Sequence, residues 1–179
     1  MMFVSLLSRN LRISVKNSSF STLHKMSPKI DVSLYEMQGD RPYMEDRTVI
    51  GYENCFSAVF DGHAGSQVAN RCHEIFLTIL ESNNPIEQTN KQIQDSLQKS
   101  ISEMDIEIVS QKKWKGVGAA TTMSFINFHD KIPSIITANL GDSRVVLSQN
   151  GKAINLTEDH KPNLPKEKER VEALEGCCW

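Results

Sequence analysis

The chain has 179 residues, of which 39% are hydrophobic and 23% charged, a balance typical of a soluble globular protein of one domain. Its net charge of −2 at pH 7 excludes the basic surface with which proteins neutralise a nucleic-acid backbone, so no nucleic-acid partner is expected. The longest apolar run near the start, residues 1–7, is far shorter than the ~20 residues of a membrane-spanning helix, and no transmembrane segment is expected.

The first thirty residues are basic and rich in serine, and the first acid is Asp31. This composition resembles a mitochondrial transit peptide. A disordered tail, or codons upstream of a translation start at Met26, would account for it equally well. In each case residues 1–30 lie outside the folded domain, and an intracellular location is expected: cytoplasmic or nuclear, or mitochondrial if the leader is a transit peptide.

The first half of the domain alternates between strand and helix patterns. β-Branched and aromatic residues predict strands at 32–37, 48–52 and 55–60, with a polar stretch at 38–47. Apolar residues at helical spacing then predict a helix over 68–80, with Ser66 as its N-cap. A second amphipathic helix follows the break at Asn84-Pro85 and spans 93–110.

The second half supplies the strands that these helices would cover. Strands are predicted at 119–128, 135–140, 144–147 and 153–156. Asn150-Gly151 predicts a type I′ hairpin turn between the last two. A charged helix over 166–175 would be capped by Gly176. A sheet packed under helices is the economical arrangement.

The four cysteines form no CxxC pair and have no histidine at zinc-site spacing. We interpret them as reduced intracellular thiols, and Cys72 as a core residue. The four are Cys55, Cys72, Cys177 and Cys178.

Four acids lie at or beside the ends of predicted strands, where catalytic groups are common: Glu45, Asp46, Asp61 and Asp142. If they converge, they form an all-oxygen site that favours Mg²⁺ or Mn²⁺ over zinc. The alternative is four solvated loop acids. Asp61 favours the metal site, because it follows an apolar strand and precedes Gly62, which would let a backbone carbonyl approach a cation.

Two further residues near these acids suit phosphate chemistry. Histidine side chains exchange protons near neutral pH, so His63 could act as a general acid, although a lone histidine is more often structural. Arg41 could hold a phosphate with its planar guanidinium, although a lone arginine near acids is more often an ion-pair partner.

Four sequence strings, taken together, resemble the signature motifs of the metal-dependent serine/threonine protein phosphatases of the protein phosphatase 2C (PPM) type. The strings are MQGDRPYMEDR at 37–47, VFDGHAGSQVA at 59–69, GDSR at 141–144 and DHKPNLPKEKERV at 159–171. Their order and spacing also match. The resemblance covers about residues 33–176, the amino-terminal half of that domain.

The resemblance implies an α+β fold, an antiparallel β-sandwich flanked by helices, with two Mg²⁺ or Mn²⁺ ions at one end of the cleft. The substrates would be phosphoserine and phosphothreonine in proteins. Asp61 would bridge the two metals, Glu45 and the Gly62 carbonyl would bind one of them, and Asp142 would belong to an additional, weaker metal site.

Three residues would act on water and phosphate by the same resemblance. Asp46 would orient metal-bound water, Arg41 would hold the phosphate, and His63 would protonate the leaving oxygen. The implied mechanism is in-line attack by metal-activated water on phosphorus, without a phosphoenzyme.

The sequence also departs from the family pattern. The family's later metal-binding aspartates, in a DG and a DN motif, are missing, and residues 177–179 read Cys-Cys-Trp. We therefore expect an incomplete second metal site and little turnover by this chain alone. The alternatives are a phosphoprotein-binding decoy without catalysis or an incomplete gene product. Missing strands would leave open sheet edges and exposed apolar faces, which invite aggregation or a partner that covers them.

Overall fold

The computed structural model describes residues 30–86, 88–129 and 132–173. Within these ranges six strands form: β1 (Arg47–Gly51), β2 (Phe56–His63), β3 (Gly118–Asn127), β4 (Ser134–Leu140), β5 (Val146–Gln149) and β6 (Lys152–Asn155). The α-helices are α1 (Gln67–Ser82), α2 (Asn90–Ser110) and α3 (Pro165–Ala173), and a 3₁₀ turn spans Lys112–Trp114. The predicted α+β class with antiparallel sheets is confirmed.

The strands form a four-stranded antiparallel sheet in the order β1-β2-β3-β4 and a separate two-stranded sheet, β5-β6. In the larger sheet Arg47 pairs with Phe60, and Asp61 pairs with Ala120. The β5-β6 hairpin turns at Asn150 and Gly151, whose φ angles are +52° and +75°. Both positive angles confirm the type I′ turn predicted from the sequence.

The core lies between one face of the larger sheet and the helices α1 and α2. Phe56, Ala58 and Phe60 alternate along β2 and are buried, as period-two alternation requires for the inner face of a strand. The two phenylalanine rings contact the ring of Phe76 in α1, at centroid distances of 5.9 Å from Phe56 and 5.6 Å from Phe60. Cys72, on the same helix, is buried as expected.

Helix α2 begins with a capping box, in which the Thr89 side chain accepts from the Gln92 backbone and the Gln92 side chain accepts from the Thr89 backbone. Ile93, Leu97 and Met104 are its buried apolar residues. The predicted apolar face of this helix is therefore confirmed, with a start three residues earlier than expected.

Two sequence predictions about strands were wrong. Residues 32–37 form no regular element, and no strand within the described ranges pairs with them. The segment is instead attached through a side chain, because the Thr48 hydroxyl donates to Glu36 Oε1 at 2.8 Å. Strand β2 runs three residues further than predicted, since Asp61, Gly62 and His63 pair with β3.

Most of the other helix and strand ends lie one or two residues from the predicted positions. Strand β5 begins at Val146 rather than 144, so Arg144 lies in the preceding loop. Helix α3 spans Pro165–Ala173, and the predicted cap Gly176, with Cys177 and Cys178, lies outside the described residues. No helix in the described part of the chain has the length and apolar character needed to cross a membrane.

Candidate metal centre

Asp46 and Asp61 are brought together by the pairing of β1 with β2. Asp46 directly precedes Arg47, which pairs with Phe60, and Asp61 directly follows Phe60. The protonated carboxyl group of Asp46 can donate a hydrogen bond to Asp61. Burial raises the pKa of Asp46, and the neighbouring Asp61 charge raises it further. Two carboxylates side by side favour a bound cation or a shared proton.

The two acids line a cavity of about 400 Å³ on the face of the sheet opposite α1 and α2. The loop after β4 closes another side, where Asp142 lines the cavity and the Ser143 hydroxyl donates to Asp61 Oδ2 at 3.4 Å. Thr122, 5% exposed, lies on the floor, and its hydroxyl has no hydrogen-bond partner among the described residues. This unpaired buried hydroxyl indicates a polar space.

A second loop, which follows β6, is fixed against the loop that follows β4. Arg144 donates two hydrogen bonds to Asp159, at 2.8 and 2.7 Å, and these bonds lower the pKa of Asp159 below its ordinary value. The His160 amide donates to the Gly141 carbonyl at 2.9 Å. Asp142 and Ser143 are therefore held in place by contacts from both sides.

The other predicted site residues lie near this cavity but do not line it. Glu45 is half-buried, and its backbone contacts Gly62, which is buried. Arg41 is exposed, and its carbonyl accepts a hydrogen bond from Gln38 at 2.7 Å. His63 is exposed and lies over Gly118, which pairs with it in β3. Strand alternation places His63 on the same face as Asp61.

The charge of the cavity lining is predominantly negative. Of the residues that the structure describes, the lining contains five acids and two bases, which leaves three negative charges in excess: Glu36, Asp46, Asp61, Asp142 and Asp159, against Arg144 and Lys161. Oxygen ligands of this kind suit Mg²⁺ or Mn²⁺, and Mg²⁺ is commonly held by one or two carboxylates while keeping several waters. Within the described residues, however, no three His, Cys, Asp or Glu side chains form a group that could hold a metal ion.

The family of the chain is decided by comparison with known proteins. The family model described as protein phosphatase 2C matches residues 30–178, which is most of the chain. The chain belongs to the protein phosphatase 2C family. All four motif strings noted in the sequence lie within the matched residues.

Curated relatives of the protein phosphatase 2C family cover the same region. The chain is 35% identical over 155 residues to the probable protein phosphatase 2C 11 of Arabidopsis thaliana, and the match covers 83% of this chain and 40% of that protein. The chain spans about half or less of the first curated relatives, between 40% and 52% of their lengths.

Solved structures show the same fold. A sex-determining protein of C. elegans is 28% identical, with a TM-score of 0.59 over 76% of this chain and 36% of that one. The catalytic domain of the serine/threonine protein phosphatase PstP, solved in complex with two manganese ions, is 17% identical, with a TM-score of 0.50 over 74% of this chain and 55% of that one. At that identity the likeness to PstP establishes the fold alone.

Four residues around the cavity of this protein phosphatase 2C chain were quoted in motif strings but given no separate role by sequence reasoning: Ser143, Arg144, Asp159 and Lys161. They belong to the GDSR and DHKPNLPKEKERV strings, which lie on either side of the hairpin predicted at Asn150-Gly151. The pairing of Arg144 with Asp159 joins residues fifteen positions apart, and this contact depends on the β5-β6 hairpin between them. The hairpin predicted between the two strings was the one feature of the sequence that indicated this contact.

Proposed function

We propose that this chain takes part in metal-dependent hydrolysis of phosphoserine and phosphothreonine in proteins. The observation that carries the proposal is the Asp46–Asp61 pair at the wall of an acidic cavity. Family membership supports the reaction class, and the two manganese ions in the PstP structure support the choice of cation. The chain spans about half the length of these relatives. Hydrolysis by the whole protein is therefore part of what we propose.

Asp61 would hold the divalent cations, and Asp46 beside it would orient water. Their shared hydrogen bond and the raised pKa of Asp46 fit a site that gains by replacing a proton with a metal. When bound, the cations supply Lewis acidity and lower the pKa of a coordinated water. The carbonyl of Gly62 and the carboxylate of Glu45 would complete the ligands on that side, and Asp142 would serve a weaker site.

Arg41 and His63 would act on the phosphate group itself. Arg41 is exposed on the loop that leads to Asp46, and its guanidinium would hold an entering phosphate. His63 is exposed two residues beyond Asp61 on the same face of β2, which suits a proton donor to the leaving oxygen.

A second candidate function is phosphoprotein binding without hydrolysis. The observation that favours it is that no group of three His, Cys, Asp or Glu in the described ranges could hold a metal. Such a chain would keep Arg41 to contact a phosphate, while the reacting water would be poorly placed.

We also propose an intracellular location, in the cytoplasm, the nucleus or the mitochondrion. Within the described ranges, Cys55 and Cys72 form no disulfide. Burial raises the pKa of Cys72 to about 12 and also raises that of Cys55, so neither thiol readily forms the reactive thiolate. Both observations fit a protein that does not depend on disulfides.

The test is phosphate release from a phosphothreonine peptide by the purified 179-residue chain, with Mn²⁺, with chelator, and with the variant Asp61→Asn. We expect slow release that chelator and Asp61→Asn both abolish. Release that persists in chelator or in Asp61→Asn would contradict the proposal. Peptide binding without release would favour the second candidate.

A further inference from the structure

Lys161 lies among the acids that line the cavity. We propose that its ammonium group is a tethered counter-ion of Asp142, which a divalent cation must displace from that carboxylate. The inference rests on the proposed function in that it assumes a cation at the acidic cavity. Lys161 would thereby weaken cation binding at Asp142.

Lys161 contacts two acids, one of which is already paired with Arg144. Its ammonium nitrogen lies 3.5 Å from Asp159 Oδ2 and 3.9 Å from Asp142 Oδ2. Asp159 is already matched by Arg144, which donates one hydrogen bond to each of its carboxylate oxygens. Because Arg144 already balances the charge of Asp159, the charge of Lys161 remains to balance that of Asp142.

The loop geometry keeps this lysine close to Asp142. The His160 amide donates to the Gly141 carbonyl at 2.9 Å, which ties the residue before Lys161 to the residue before Asp142. The Asn139 side chain adds hydrogen bonds of 3.0 Å to the carbonyls of Gly141 and Glu158. The lysine is therefore present at the carboxylate whenever the two loops are paired.

The contact between Lys161 and Asp142 is weak enough to be displaced. Their side chains are 46% and 56% exposed, and ion pairs in such surroundings are screened by water. The Arg144–Asp159 pair is the opposite case, since Asp159 is only 10% exposed and both its oxygens are bonded. A divalent cation carries twice the charge of the ammonium and prefers carboxylate oxygen, so it would displace Lys161 while the arginine pair stays in place.

The test is calorimetric titration of Mn²⁺ into the full chain and into Lys161→Met, without phosphopeptide. The substitution keeps a long side chain and removes the charge that opposes the cation, so we expect a Kd about three- to tenfold lower than in the unsubstituted chain. Lys168→Met is the matched control, because Lys168 is similarly exposed and pairs with Glu172 at 3.7 Å on α3. It should leave the Kd unchanged.

The double variant separates competition at Asp142 from a general charge effect. In an Asp142→Asn background, we expect Lys161→Met to change the Kd by less than about twofold, because the contested carboxylate is gone. An equal or higher Kd in Lys161→Met, or an equal gain in Lys168→Met, would overturn the inference alone. No Mn²⁺ binding by either the unsubstituted chain or Lys161→Met would overturn the cation assignment together with the inference. Circular dichroism of each variant checks the fold.

Discussion

The backbone of Gly62 lies directly against that of Glu45: a Cβ added to Gly62 would stand 2.5 Å from the Glu45 carbonyl oxygen. Gly62 follows Asp61 in β2, and Glu45 precedes Asp46 in the loop that enters β1. The missing side chain therefore lets the segments that carry the two acids approach each other.

Gly62→Ala should separate these segments. The added methyl group meets backbone and not a flexible side chain, so we expect a loss of about 1–3 kcal/mol in the free energy of unfolding, together with weaker Mn²⁺ binding. Urea unfolding and calorimetry measure the two effects. Gly151→Ala is the control. Its φ of +75° strains alanine, but apart from its chain neighbours no described atom lies within 4 Å of the added Cβ. It should lower stability and leave Mn²⁺ binding intact, and the same loss of binding in both variants would refute this explanation.

Asp46→Asn should stabilise the cation-free chain at neutral pH. Burial and the Asp61 charge raise the pKa of Asp46 in the folded state. Between the ordinary value of about 3.9 and the raised value, the folded chain binds more protons, so its stability falls as pH rises through that window. The asparagine variant escapes this loss. Thermal unfolding in chelator should give it a higher Tm at pH 7 and no such advantage at about pH 3, whereas a lower Tm at pH 7 would be inconsistent with the raised pKa.

Leu97→Ala should strongly destabilise the fold. Leu97 is 1% exposed between α2 and the sheet, and truncation of a buried leucine costs about 2–5 kcal/mol. Ile106→Ala, on the same helix at 70% exposure, should change the free energy of unfolding by less than about 0.5 kcal/mol. Urea unfolding of both variants measures the difference. Similar losses would mean that α2 packs through a different face.

The helices and the hairpin could be predicted from the sequence because each depends on local signals. The apolar spacing of α1 and α2 and the positive φ angles at Asn150-Gly151 are properties of neighbouring residues. The segment 32–37 has the composition of a strand, but a strand also needs a partner, and its nearest anchor is the hydrogen bond from Thr48 to Glu36. Composition alone does not reveal a partner.

The candidate site could be predicted in part. The acids were identified by residue type and position, and three of them, Asp46, Asp61 and Asp142, do line one cavity. The contact of Gly62 with Glu45 and the fixing of the GDSR loop by Asp159 depend on strand register and hairpin geometry. These relations involve residues that are distant in sequence, and a single sequence carries no direct signal for them.

The central claim, that Asp61 beside Asp46 binds the cation of a phosphatase site, is tested most directly by electron paramagnetic resonance of Mn²⁺ added to the chain. Asp61→Asn is compared with Asp105→Asn, which removes an exposed acid on α2 away from the cavity. We predict that the unsubstituted chain and Asp105→Asn bind Mn²⁺ and that Asp61→Asn loses at least about tenfold in affinity. Equal binding by all three proteins would contradict the claim.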